Sequence, residues 1–133
     1  MTGFSVWIDG REVSGELPHA KFVQYAAELL EKESIDQVVC ERYIVSGQTG
    51  KYSPANWSLE QIGVLKYLCE KHGAAFTLQN AADAKRFATE DKLNMMHWKK
   101  IRGKGHARDA QRHLLLFLVK NDLIDDRVLV QKY

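Results

Sequence analysis

The stretch 1-MTGFSVWIDGREVSGEL-17 decides how the rest of the chain is read. Phe4-Ser5-Val6-Trp7-Ile8 mixes β-branched and aromatic residues, as a strand does, and Asp9-Gly10 is a strong hairpin-turn dipeptide. A second strand over Glu12 to Leu17 follows. The chain therefore opens on a hairpin, and whatever comes next must cover its apolar face.

Phe22, Tyr25, Ala26, Leu29 and Leu30 recur at the spacing of an amphipathic helix. Asp36-Gln37-Val38-Val39-Cys40-Glu41 is a short apolar run ending in a carboxylate, which reads as a buried parallel strand. Ser46 to Trp57 is rich in Gly, Ser, Asn and Pro and reads as a loop. Ser58 with Gln61 resembles a capping box, opening a helix through Ile62, Leu65, Leu68 and Cys69 to a stop at Gly73. Ala75 to Leu78 is another short strand, and residues 81–95 form one or two short helices. The last helix runs from His106 to Asn121, with Ala107, Ala110, Leu114, Phe117 and Leu118 as its apolar stripe. A short apolar tail, Val128 to Val130, remains. Strands alternating with helices predict an α/β fold with a mixed sheet.

A chain of 133 residues is expected to form one domain, and no internal repeat divides it. The formal net charge of +2 names no partner, so only local charge is informative. Cys40 and Cys69 form no CxxC and are expected to be reduced thiols, as in a cytosolic protein. No stretch reads as a signal peptide or a membrane span, the longest apolar run being Leu114 to Val119. The expectation is a soluble protein without membrane contact.

Three features carry chemistry. Glu41 stands at the C-terminal end of a predicted strand, the edge where open α/β sheets bind ligands. His106 and Asp109 are three residues apart, so on a helix they share a face, and His113 lies near the same stripe. A solvated strand end, a helix cap and a first-turn acid complementing the helix dipole explain these residues without any site. With a divalent cation, the carboxylates suit Mg²⁺ or Mn²⁺, and the imidazole leans the choice towards Mn²⁺. An imidazole can also carry a proton near neutral pH. The approach 97-HWKKIRGKGHAR-108 holds Lys99, Lys100, Arg102, Lys104 and Arg108 and no acid, with Trp98 and Ile101 interleaved. Gly103 and Gly105 are expected to keep it mobile. Cations beside carboxylates are what a phosphodiester substrate requires.

The order hairpin, helix, 38-VVCERYIV-45, helix, 81-AADAKRFATEDKL-93 and 105-GHARDAQRHLLLFL-118 resembles the RuvC-like Holliday-junction resolvases, above all the small phage-encoded ones. The resemblance covers nearly the whole chain. Its most specific parts are the strand-end glutamate and the HxxDA helix start. It implies a ribonuclease-H-like mixed five-stranded sheet flanked by helices. It further implies two divalent ions, Mg²⁺ or Mn²⁺, that activate water to cut branched or junction DNA. Glu41, His106 and Asp109 correspond to metal ligands, Lys85 to a substrate-contacting lysine, and Lys99 to Lys104 to a segment on the DNA backbone. Trp98 would pack against sugar or base, and Arg108 would add to the basic surface. A homodimer in the cytoplasm of a bacterial or phage-infected cell is implied as well.

The departure is at the N-terminus. The family begins with a strand ending in Asp-x-Gly, followed by a hairpin whose first strand reads TG-aromatic-x-V. Here 2-TGFSVW-7 matches that later strand, so the first strand and its aspartate are expected to be missing and Asp9 to sit in a turn. The rival alignment makes Asp9 the first metal ligand but leaves one strand too few before the helix. Two cations about 3.5–4 Å apart need several bridging anions. Two functions are therefore expected to compete: a metal-dependent endonuclease, and a catalytically impaired DNA-binding module with the same fold.

Overall fold

The structure is a computed structural model that describes residues 1–42, 54–103, 105–125 and 127. It is α/β, with nine elements among those residues. They are β1 (Thr2–Ile8), β2 (Arg11–Leu17), α1 (His19–Lys32), β3 (Gln37–Glu41), α2 (Pro54–His72), β4 (Ala75–Gln79), α3 (Ala81–Phe87), α4 (Glu90–Met95) and α5 (His106–Lys120). The chain divides into two compact units, one of residues 1–17 and 81–133, the other of Pro18–Asn80. No helix among the described residues is long and apolar enough to cross a membrane.

In the first unit, β1 and β2 pair antiparallel in a register that sets Ile8 opposite Arg11 and Thr2 opposite Leu17. Only Asp9 and Gly10 lie between the strands, both at positive φ, +52° and +75°. That is the requirement of a two-residue turn whose twist matches the hairpin, and Asp and Gly meet it at little steric cost. Asp9 thus sits at the exposed tip of the hairpin, as the strand-matching argument expects.

Helix α5 packs against β1 and β2 and against α3 and α4. The apolar core is built from Ala88, Leu93, Trp98, Leu115 and Leu118, with Trp7, Phe87 and Leu114 against it. The buried face of α5 differs from the apolar stripe read from sequence. It runs through Ala107, Arg108, Gln111, Leu115 and Leu118, while Ala110, Leu114 and Phe117 are half-buried. Two strongly polar residues belong to that face because they are hydrogen-bonded inside it, a circumstance hydropathy cannot register. At its C-terminus α5 closes with Asp122 at φ +55°, with Leu123 N–H donating to the Leu118 carbonyl and Asp122 N–H to that of Val119. These two hydrogen bonds satisfy carbonyls that the helix would otherwise leave open.

In the second unit, α1 packs on α2, and Phe22, Ala26 and Leu30 are buried with Leu65 and Cys69. β3 and β4 pair in parallel, with Glu41 opposite Gln79. β3 is half-buried rather than buried, and Glu41 is exposed. Instead of one mixed five-stranded sheet, the described residues form two two-stranded sheets. α2 starts at Pro54, so residues 54–57 are helical and not loop, and Ser58 lies inside the helix instead of capping it. Proline explains the earlier start, since its fixed φ and missing N–H suit the first helical turn. The rest of the expected loop, residues 46–53, and the Val128–Val130 tail lie outside the described residues.

Cys40 and Cys69 are both free thiols. Burial pushes the Cys40 thiol up to about 11, with the Glu41 carboxylate and Cys69 adding to the effect. Burial also raises Cys69. At pH 8 a thiol of that acidity is thiolate in roughly one molecule in a thousand. Iodoacetamide should therefore modify Cys40 of the native protein on the order of a hundredfold more slowly than Cys40 of the urea-unfolded chain; comparable rates, read by mass spectrometry, would contradict this environment.

At Gly3, β1 passes close to the start of α5: a Cβ there would overlap the backbone carbonyl of His106. Gly3→Ala should lower stability by about 1–3 kcal/mol, the usual cost of forcing extra volume into a packed contact. A urea midpoint unchanged from wild type would show that α5 does not lie on β1 in this way.

Candidate functional site

The N-terminus of α5 is set by two contacts from outside the helix. Gly105, its N-cap, has φ +88° and no side chain to cap with. The Glu16 carboxylate of β2 takes that place, its Oε1 accepting the His106 N–H at 2.8 Å and the Ala107 N–H at 3.3 Å. An anion there satisfies open donors and complements the positive end of the helix. Gly103, at φ +148°, packs against the same carboxylate so closely that a Cβ would overlap it. The two glycines thus serve required backbone conformations.

His106 is exposed, and the Asp109 side chain is 44% exposed. Asp109 Oδ1 accepts from Arg112 Nη1 at 2.9 Å. Arg112 is itself fixed, donating through Nε to the Ala88 carbonyl at 3.2 Å and through Nη2 to Glu90 Oε1 at 2.8 Å. One carboxylate oxygen of Asp109 is therefore held in place. His113, on the same helix, is buried.

Behind this surface lies a polar cluster that sequence reasoning did not detect. Arg108 is only 3% exposed. Its Nε donates to both Glu90 oxygens at 3.1 and 3.2 Å, and its Nη2 to Glu90 Oε2 at 2.8 Å and Asn94 Oδ1 at 3.1 Å. Its Nη1 donates to the Trp98 carbonyl at 2.7 Å and to Gln111 Oε1 at 2.8 Å. Gln111, fully buried, uses its Nε2 on Ser14 Oγ at 2.9 Å, the Lys99 carbonyl at 3.1 Å and the Glu12 carboxylate at 3.4 Å. Ser5 Oγ donates to the same Glu12 at 2.5 Å. A guanidinium with all its donors engaged inside the protein has none left for a phosphate. Arg108, read from sequence as part of the DNA-binding surface, is instead a core residue. Trp98, read as a DNA-stacking residue, is buried with its ring 5.8 Å from that of Trp7.

The other cations are placed differently. Lys99, Lys100, Arg102 and, on α3, Lys85 are exposed, and none of the four forms an ion pair among the described residues. Lys104 lies outside the described residues. Glu41 ends β3 in the second unit, whereas His106 and Asp109 open α5 in the first. Among the described residues no group of three or more His, Cys, Asp or Glu side chains could hold a metal ion. On the first turn of α5, His106 and Asp109 offer one imidazole and one carboxylate. Mg²⁺ is commonly held by one or two carboxylates, with water and substrate phosphate completing the shell.

No protein-family model, curated protein or solved structure matches this chain.

The hydrogen bond from Arg108 holds the Glu90 carboxyl below its ordinary range; burial opposes it, and the charges of Arg108, Arg112 and Lys100 reinforce it. A carboxyl depressed on folding contributes stability that is complete above its unfolded value and is lost as pH falls through the folded one. Thermal unfolding should thus show a destabilisation below pH 4.5 in wild type that is smaller in Glu90→Gln. Glu90 is half exposed, so solvent screening limits the difference. Identical acid limbs would show that the Glu90 pairing does not contribute.

Proposed function

We propose that this α/β chain is a ribonuclease-H-like, metal-dependent DNA endonuclease of the RuvC-like resolvase type, acting on branched DNA. The observation that carries the reading is the placement of His106 and Asp109 on the accessible first turn of α5, immediately after the exposed Lys99, Lys100 and Arg102. The order hairpin, helix, strand, helix, parallel strand, helices supports it, as does Glu41 at an exposed strand end. His106 and Asp109 would hold a divalent cation, which would supply charge neutralisation of the attacked phosphate and activation of water. Arg112 orients the Asp109 carboxylate. Lys99, Lys100 and Arg102 hold the DNA backbone by charge, without reading its sequence.

A second reading, a DNA-binding module that does not cut, is favoured by the Asp109–Arg112 ion pair, which partly neutralises the carboxylate before any metal arrives. One experiment separates the two: cleavage and binding of a labelled four-way junction, with and without Mg²⁺ or Mn²⁺. The endonuclease reading expects metal-dependent cutting that Asp109→Asn and His106→Ala abolish, with DNA affinity retained or raised in Asp109→Asn. Glu41→Gln, assayed alongside, reports whether the strand-end carboxylate takes part. Undiminished cutting by Asp109→Asn sinks the ligand assignment. Salt-sensitive binding without any cutting selects the second reading, and no binding at low salt overturns both.

A further inference from the structure

The segment joining α4 to α5 is pinned from inside the fold. His97 holds φ +61°, rare for a residue with a side chain, and its N–H donates to the Asn94 carbonyl at 3.0 Å. Trp98 is buried, its carbonyl held by Arg108 and its N–H donating to the Leu93 carbonyl at 3.2 Å. The Lys99 carbonyl is held by the fully buried Gln111. At the far end Gly103 is seated on Glu16, which also caps α5. Between these anchors Lys99, Lys100 and Arg102 project from the surface. A basic loop that only needed to be solvated would not require two buried side chains to engage consecutive main-chain carbonyls.

We infer that residues 97–103 form a pre-ordered platform presenting Lys99, Lys100 and Arg102 to a phosphodiester backbone, with Arg108 and Gln111 as its positioning residues. The inference rests on the DNA reading above and deepens it. Arg108 and Gln111 alternate along α5 with His106 and Asp109, so one rigid helix sets the platform and the candidate ligand pair in fixed register. Binding then spares the cost of ordering the loop, and the phosphate that the platform holds has a defined position relative to Asp109.

The test combines ¹⁵N relaxation with binding of a fluorescent four-way junction, at a temperature where every variant is folded. In the wild type, backbone order parameters for residues 98–102 are expected near those of α5, roughly 0.85, and not below the ~0.6 of a flexible loop. Gln111→Met is expected to lower them and to weaken binding roughly 3- to 10-fold. It should leave the slope of log affinity against log salt unchanged, because no phosphate-neutralising charge is lost. Lys99→Ala, by contrast, should reduce that slope by about 0.9. Flexible wild-type amides, or a Gln111→Met protein with undiminished order and affinity, would overturn the platform. Should Gln111→Met not fold, the wild-type order parameters decide. A wild type with high order parameters that binds no DNA at low salt refutes the DNA reading and, with it, the phosphate partner, while leaving the rigid loop established.

Discussion

The first unit depends on a single buried amide. Gln111 has no solvent exposure, yet every partner it uses is polar: Arg108 on its own helix, Ser14 and Glu12 on β2, and the Lys99 carbonyl. Beside it the guanidinium groups of Arg108 and Arg112 are paired with the carboxylates of Glu90 and Asp109. Among the described residues no buried side-chain nitrogen or oxygen is left without a hydrogen bond. Satisfied networks of this kind specify one arrangement of the elements they join, because removing one member strands the others away from water. Here the joined elements are the hairpin, α4, α5 and the basic segment.

That network gives α5 two jobs on two faces. The inward face fixes neighbouring backbone, and the outward first turn offers an imidazole and a carboxylate shortly after the exposed Lys99, Lys100 and Arg102. Arg112 sits at the seam, tying the carboxylate of Asp109 to Glu90 and to Ala88, just past α3. A group argued to work on a phosphate must be held to within a fraction of an ångström, and loops rarely achieve this without support from a packed element.

Much of the fold was legible because it rests on local chemistry. Asp9-Gly10 announces its own turn, Gly73 ends its own helix, and the apolar spacing of Phe22, Ala26 and Leu30 names the buried side of α1. The start of α2 was not legible, because Pro54 reads equally as a loop residue and as a helix opener. The partition of strands into two pairs depends on long-range pairing that no local pattern encodes. At the candidate site, His106, Asp109 and the exposed lysines were readable from spacing and charge. Arg108 and Gln111 were not, since burial of a guanidinium or an amide follows from partners distant in sequence, Glu12 and Ser14 among them. The one available signal was their position on α5, in line with Ala107, Leu115 and Leu118.

The contact between Gly3 and His106 has a consequence for how the chain is made. The two residues lie far apart in the sequence, and the unit they close is interrupted by all of Pro18–Asn80. On a ribosome adding about 5–20 residues per second, the hairpin therefore waits roughly 5–20 s for the helix that covers it. During that interval its apolar side is open to chaperones or to another nascent chain, while the second unit, continuous in sequence, can already be forming. Birth order, and not only final packing, thus leaves the hairpin open to mispairing until α5 is made.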